Sequence, residues 1–350
     1  MSYFNPNAAA GANSGIFGLP YTEKESALVL IPVPWEATTS YGGGTSEGPA
    51  AILEASKQVD LFDLDVVKPY EAGLFMREES AEVRGWNETA KAHAQKIIEV
   101  GGNIDGDASL EKSLALVNEH GTKLNRYVYD QTREVLAQGK IAAVVGGDHS
   151  VPFGAFQAIA EKHPGFGILH FDAHSDTRKA YEGFEWSHAS IMHNALERIP
   201  GISKLVQVGI RDVCEEEIEY TTSQGKRVKT FFDRNNQRRK IEGTRWAEIT
   251  QEIVAELPKE VWVSFDIDGL DPRFCPHTGT PVPGGLDFAE ACYVISALVQ
   301  SGKKIVGFDL NEVAPNLSDE GDEWDANVGS RLLYKLCAWT LASQGKAKLS

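Results

Sequence analysis

Acids and histidines gather at the ends of short apolar runs in four places along the chain. They are VVGGDHS at 144–150, LHFDAHSD at 169–176, VSFDIDGLDP at 263–272 and GFDLNEVAP at 307–315. In an extended chain, residues two apart point to the same face. Asp172, His174 and Asp176 therefore share one face, and so do Asp266 and Asp268. Each motif alone reads as an ordinary turn or helix cap. Brought together in a partly dry cleft with the imidazoles of His149 and His174, the four carboxylates would repel one another, and at least one would have to protonate. Two divalent cations would balance the four negative charges of Asp172, Asp176, Asp266 and Asp268. A donor set of mostly oxygen with two imidazoles suits Mn(II) and also accepts Ni(II), Co(II) or Fe(II). The absence of thiolates counts against structural zinc.

Such a site needs a scaffold that collects distant segments. Short apolar runs stopped by Pro, Gly or Asp, at 27–34, 141–145, 167–171, 204–209, 261–265 and 304–308, read as buried strands. Helical periodicity fills 49–57, 85–101, 107–139, 152–162, 187–198, 245–257, 287–301 and 328–343. Strands alternating with helices predict an α/β fold with a mainly parallel sheet covered on both faces. In such a sheet, ligands bind beyond the carboxyl ends of the strands, where the four motifs lie. The polar, charged stretch 214–243 reads as a surface excursion with one edge strand. Residues 1–25, rich in Asn, Ala, Gly and Pro, read as an irregular arm, and 26–350 as a single domain. The run YGGGT at 41–45 invites a phosphate-loop reading, but no Lys-Ser or Lys-Thr follows it. It is expected to be a tight loop beside the site.

The composition narrows the function classes. Among 350 residues, 34 Lys and Arg stand against 50 Asp and Glu, a net charge of −16. That charge disfavours nucleic acids and anionic membrane surfaces and suits a small cationic substrate. No apolar stretch approaches the ~20 residues that span a bilayer. The first residues lack a basic region followed by an apolar run, so a cytoplasmic location is expected. The four cysteines have no paired spacing that would indicate a metal knuckle or a disulfide framework.

The chain resembles the ureohydrolase family of arginases and agmatinases from about residue 27 to 340. The resemblance rests on GGDHS, FDAHSD and SFDIDGLDP, together with TGTPVPGG at 278–285 and NEVAP at 311–315. It implies the three-layer α/β/α arginase-like fold. It also implies a pair of metal ions, one held by His149, Asp172, Asp176 and Asp266 and the other by Asp172, His174, Asp266 and Asp268. Glu312 matches the carboxylate that pairs with a substrate guanidinium, a partner whose planar fork suits a carboxylate. His188, in WSHAS at 186–190, sits where the family places its proton-shuttling histidine. Asp176 would accept the proton of the attacking water. Asp148 and Asp271 are expected to orient ligands or loops, and the other six histidines, His170 and His193 among them, to be structural.

The reaction implied is hydrolysis of a guanidino compound to urea and an amine, agmatinase-like. Two departures bear on the substrate. Agmatinases carry DHGT around the shuttle histidine and YDxAxxTA near the C-terminus; this chain has SHAS at 187–190 and WDANVG at 324–329. With the arm (GIFGLP at 15–20), the PWE turn at 34–36 and Trp324 narrowing the mouth, free guanidine, or else a short alkylguanidine or guanidino acid, becomes the alternative substrate. That matches a similarity to nickel-dependent guanidine hydrolases, for which Ni(II) would replace Mn(II). A related deacetylase would use one zinc, which the intact set of His149, Asp176 and Asp268 argues against. A non-catalytic partner subunit would have lost a ligand or Glu312. The family also implies a homo-oligomer, trimer or hexamer, with metal-insertion accessory proteins left open.

Overall fold

The apolar runs become the strands of one sheet. The computed structural model describes residues 4–11, 13–319 and 321–350. Its strands are β1 (Leu28–Val33), β2 (Val66–Val67), β3 (Leu74–Met76), β4 (Ile141–Gly146), β5 (Phe166–Phe171), β6 (Ile202–Val208), β7 (Val228–Phe231), β8 (Glu260–Asp266), β9 (Lys304–Asn311) and β10 (Lys348–Leu349). The helices are α1 (Gly48–Ser56), α2 (Ala81–Ile98), α3 (Ala108–Ala137), α4 (Phe153–Lys162), α5 (Ile191–Arg198), α6 (Glu215–Ser223), α7 (Asp233–Ile241), α8 (Trp246–Glu256), α9 (Phe288–Gln300) and α10 (Trp324–Ser343). Eight strands form one sheet in the order β3-β1-β4-β9-β8-β5-β6-β7, with every neighbouring pair parallel. β2 and β10 pair antiparallel apart from it.

Both faces of the sheet are covered, which is why its strands read as continuous apolar runs. Leu169, Phe171, Val263, Phe265 and Leu310 pack with residues of α1, α8, α9 and α10. On the other face, Ile168, Trp262 and Val306 pack with residues of α3, α4 and α5. The result is the expected three-layer α/β/α arrangement.

The helix starts differ from the periodicity in instructive places. α2 begins at Ala81, because the Ser80 side chain accepts from Val83 N and caps the first turn. α10 begins at Trp324, whose backbone N–H donates to Asp322 Oδ1 at 3.2 Å. The stretch 187–198 divides into a 3₁₀ turn, His188–Ser190, followed by α5. The excursion at 214–243 holds two helices, α6 and α7, around the edge strand β7.

The arm is not irregular throughout. Ile16, Phe17 and Leu19 are buried, Phe17 N–H donates to Ser56 Oγ at 2.9 Å, and the Phe17 and Tyr334 rings lie 5.0 Å apart. Three large apolar side chains in four residues drive this burial between α1 and α10. The triple glycine makes the expected tight loop: Gly42, Gly43 and Gly44 all have positive φ, of 68°, 146° and 98°. The buried Glu36 carboxylate fastens it by accepting from Gly44 N at 2.6 Å and Ser46 N at 3.2 Å, with Lys91 as its ion-pair partner.

Candidate metal centre

β5 and β8 are neighbours whose onward connections run in opposite directions along the sheet, β5 to β6 and β8 to β9, so the winding reverses between them. The adjoining strands β4, β9, β8 and β5 each run straight into one of the four motifs. Open parallel sheets bind ligands in the crevice at such a reversal.

Two histidines anchor the cluster. His149 Nδ1 lies 3.0 Å from Asp172 Oδ2, 3.3 Å from Asp176 Oδ2 and 3.3 Å from Asp266 Oδ2. His174 Nδ1 lies 3.1 Å from Asp268 Oδ2 and 3.5 Å from Asp172 Oδ1. Asp172 faces both rings. Two further carboxylate oxygens are tied to the backbone: Asp268 Oδ1 accepts from Ala173 N at 2.9 Å, and Asp266 Oδ1 accepts from Asp268 N at 2.8 Å. Asp176 sits at φ 55°, and its carbonyl accepts from Met192 and His193 at the start of α5. A non-glycine residue in that region is strained, a frequent mark of functional sites.

The electrostatics show what the cluster lacks. Burial, then the charge on Asp172, pushes the Asp176 carboxyl up to about 7. Burial, with Asp268 and Asp172 beside it, pushes Asp266 well above the usual carboxylate range. Burial opposes the charged form of His149, yet its hydrogen bonds to Asp172, Asp176 and Asp266 raise it well above the ordinary value. Asp176 and Asp266 thus favour their protonated forms, while Asp172, despite its burial, is held well below the usual carboxylate range by His170 and by its hydrogen bonds to His149, His170 and His174. Ligand atoms of His149, His170, Asp172 and Asp176, and those of Asp172, His174 and Asp268, lie within 4.8 Å of one another. Buried, proton-hungry and rich in oxygen donors, the set fits divalent cations.

His170 enters this environment unexpectedly. Its Nε2 donates to Asp172 Oδ2 at 2.8 Å, and Gln207 Nε2 lies 3.2 Å from its Nδ1. The Gln207 amide can only donate there, which fixes the tautomer and leaves His170 orienting Asp172. The alternation that groups Asp172, His174 and Asp176 extends back to His170, so the signal was present two residues earlier.

Glu312 lies beside the cluster, 2% exposed and at φ 62°. Its Oε1 accepts from His149 N at 3.0 Å and lies 3.5 Å from His188 Nδ1. Its Oε2 is buried without a hydrogen-bond partner. An orphaned carboxylate oxygen of this kind is costly unless a ligand serves it. A cavity of about 270 Å³ opens over the cluster, lined by His174, Asp176, His188 and Asp266 together with Tyr41, Arg178, Tyr181 and Thr280; Glu312 is not on this lining but adjoins it through His188.

A family model described as the arginase family matches residues 26–338. The chain belongs to the arginase family. Among arginase-family relatives, it is 30% identical over 326 residues to an N(1)-aminopropylagmatine ureohydrolase of Synechocystis, covering 92% of each chain. It is 29% identical to an agmatinase of Bacillus anthracis over 90% of this chain and 93% of the relative. The solved agmatine ureohydrolase of Thermoplasma volcanium shares the fold with a TM-score of 0.70 at 23% identity, over 93% of this chain and 94% of that one.

Some expected residues lie elsewhere. Trp324 does not line the cavity: it is 46% exposed in the first turn of α10, and its Nε1 donates to Arg273 O at 2.8 Å. Helix geometry turns it outward and onto a neighbouring loop. The arm packs against α1 and α10 and is likewise absent from the cavity lining. Asp148 shapes the turn before His149 by accepting from Ser150 N at 3.0 Å. Asp271 braces its own loop, accepting from Arg273 N at 3.0 Å. Sequence reading also missed Ser264 and Asp309 behind His149, where His149 Nε2 meets Ser264 Oγ at 2.9 Å and Ser264 donates to Asp309 Oδ2 at 2.8 Å.

Proposed function

We propose that the chain is a binuclear-metal ureohydrolase that cleaves a guanidino compound to urea and an amine, with agmatine giving putrescine as the leading case. The observation that carries this reading is the buried Glu312 Oε2, unpaired beside the His/Asp cluster and His188. His149, Asp172, Asp176 and Asp266 would hold one cation, and Asp172, His174, Asp266 and Asp268 the other, with Mn(II) the best match to the donors and Ni(II) the alternative. When bound, the two cations supply Lewis acidity and lower the pKa of a water from 15.7 to about 7.

The chain's own groups do the rest. Glu312 Oε2 binds a guanidinium N–H, and the resulting ion pair fixes the plane of the substrate. Asp176 accepts the proton of the water that attacks the guanidino carbon. As the carbon–nitrogen bond breaks, His188 gives its proton to the departing amine. Free guanidine is less favoured, because the arm and Trp324, which would have closed the pocket around a small cation, lie away from the cavity. A cytoplasmic trimer or hexamer, with or without metal-insertion accessory proteins, completes the reading on the strength of the family resemblance.

The test is urea release from agmatine, free guanidine, 4-guanidinobutyrate, 3-guanidinopropionate and arginine, on protein loaded with Mn or with Ni. Turnover of agmatine with Mn is expected. Glu312→Gln should keep both metals and lose about 100-fold or more in kcat/KM, the worth of a charged hydrogen bond in a dry site. No urea from any compound on fully loaded protein overturns the proposal.

A further inference from the structure

The loop at 273–280 touches both halves of the site and enters the cavity lining only through Thr280. Thr278 Oγ1 donates to the Glu312 carbonyl at 2.7 Å. Gly279 lies so near Glu312 that a Cβ there would sit 3.5 Å from Oε2. Thr280 Oγ1 reaches Asp268 Oδ2 at 3.4 Å. Glu312 keeps its left-handed backbone only while its surroundings hold it there, and this loop is part of that hold.

The loop in turn hangs from the first turn of α10. Asp325 Oδ1 accepts from His277 N at 3.0 Å, and Asp325 Oδ2 lies 2.8 Å from His277 Nδ1. Both oxygens of one carboxylate, 1% exposed, are thus committed to the backbone and ring of a single residue. On the ring's other side, Nε2 lies 3.6 Å from Asp322 Oδ2. Trp324 adds a second tether through Arg273 O, at 2.8 Å. His277, Asp325 and Trp324 are all absent from the cavity lining.

We infer that Asp325 and His277 form a latch that positions Glu312 for the guanidinium: α10 holds His277, His277 fixes the loop, and Thr278 fixes the Glu312 backbone. The inference rests on the reading of Glu312 as the guanidinium-binding residue. It gives the first turn of α10, remote from the cluster in sequence and chemistry, a defined role in the reaction. His277 and Asp325 act as positioning residues, because both oxygens of Asp325 are committed to His277 and the His277 ring to Asp325 and Asp322, leaving neither to meet substrate.

The test compares His277→Ala, His277→Asn, Thr278→Val and the His277→Ala/Thr278→Val double variant as full-length, metal-loaded protein. The readouts are kcat and KM for the guanidino compound that the parent cleaves fastest, the inhibition constant of guanidinium chloride, metal content and Tm. His277→Ala is expected to raise KM and the guanidinium inhibition constant about 10-fold, the effect of losing one charged contact's alignment, with two metals retained. His277→Asn should recover most of the loss, since its amide N–H can donate to Asp325 where Nδ1 does. The double variant should be no worse than the poorer single, because both substitutions break one chain of contacts. If His277→Ala melts below the assay temperature, Thr278→Val and His277→Asn read the same connection. Parent-like constants in His277→Ala or Thr278→Val, additive losses in the double variant, or an Asn variant as poor as Ala overturn the latch. Absence of urea from the parent overturns the functional reading first, and this inference with it.

Discussion

His149 has two ring nitrogens with opposite duties. Nδ1 faces Asp172, Asp176 and Asp266, while Nε2 meets Ser264 Oγ at 2.9 Å. Ser264 donates onward to Asp309, which also accepts from Trp262 Nε1 at 2.5 Å and Asn311 Nδ2 at 2.6 Å. Ser264 has one proton and gives it to Asp309, so Nε2 must carry the hydrogen and Nδ1 the lone pair that a cation needs. Ser264→Ala frees that tautomer and should weaken metal affinity 10- to 100-fold by competition with a chelator; unchanged affinity would show that the ring is fixed by packing. His188 supports a second prediction. Burial would lower its pKa, but the hydrogen bond and charge of Glu312, with Asp148 and Asp176 behind, push it up to about 9. A histidine raised above its ordinary 6.5 keeps its proton through neutral pH and loses it as pH climbs through about 9. As general acid, it should give kcat/KM an alkaline limb near that value, and His188→Asn should remove the limb together with about 100-fold of the rate. A limb that survives in His188→Asn belongs to another group.

At the scale of elements, legibility followed burial. β4, β5, β8 and β9 are covered on both faces and announce themselves as apolar runs ending in acids. β3, at the sheet's edge, is three residues long, and β2 and β10 are two, too short for any period to register. The cluster was readable because its ligands fall on alternate residues of extended chain. The part that was not readable depends on backbone torsion and on contacts across the fold. Nothing local marks Glu312 or Asp176 for positive φ, and nothing near Ser264 names Asp309 as its partner. Trp324 misled because an aromatic near a motif suggests a pocket wall, whereas its place in the first turn of α10 turns it outward. The glycine loop was read as a tight loop, and its close approach gives a sharp test. A Cβ on Gly42, at φ 68°, would fall 2.6 Å from Gly279 O, on the loop that flanks Glu312. Gly106 has φ 80° with nothing within 4 Å of its Cβ. Gly106→Ala should cost only the left-handed strain, about 1–2 kcal/mol, and leave activity intact. Gly42→Ala should lower Tm further and raise KM, and equal behaviour of the two variants would mean that the loop yields freely.

For the molecule as a whole, the net charge of −16 decides how substrates arrive rather than how the chain folds. No helix among the described residues is long and apolar enough to cross a membrane. Asp212 and Glu217 line the cavity together with Asp176 and Asp266, and Arg178 is the permanent cation among the residues that line it. Glu217 is already committed, with Oε1 accepting from Thr177 N and Oε2 from Cys214 N, both at 3.1 Å. Its charge is also paired with Arg178, whose Nε lies 3.7 Å from Oε2, so the attracting field comes from Asp212 and the acidic surface as a whole. A field of this sign draws a guanidinium inward along most approaches, and most strongly a substrate with a second cation at its other end. Salt should erase that advantage, since the Debye length falls from about 30 Å at 0.01 M to about 3 Å at 1 M. Across that range, kcat/KM for agmatine, a dication, should fall severalfold, while 4-guanidinobutyrate, whose charges cancel, should change little. The loss should appear in KM, because the reacting groups are buried beyond the reach of added ions. Equal salt profiles for the two compounds would place the excess negative charge away from the mouth, and choice among guanidino compounds would then lie with contacts inside the cavity, Arg178 foremost.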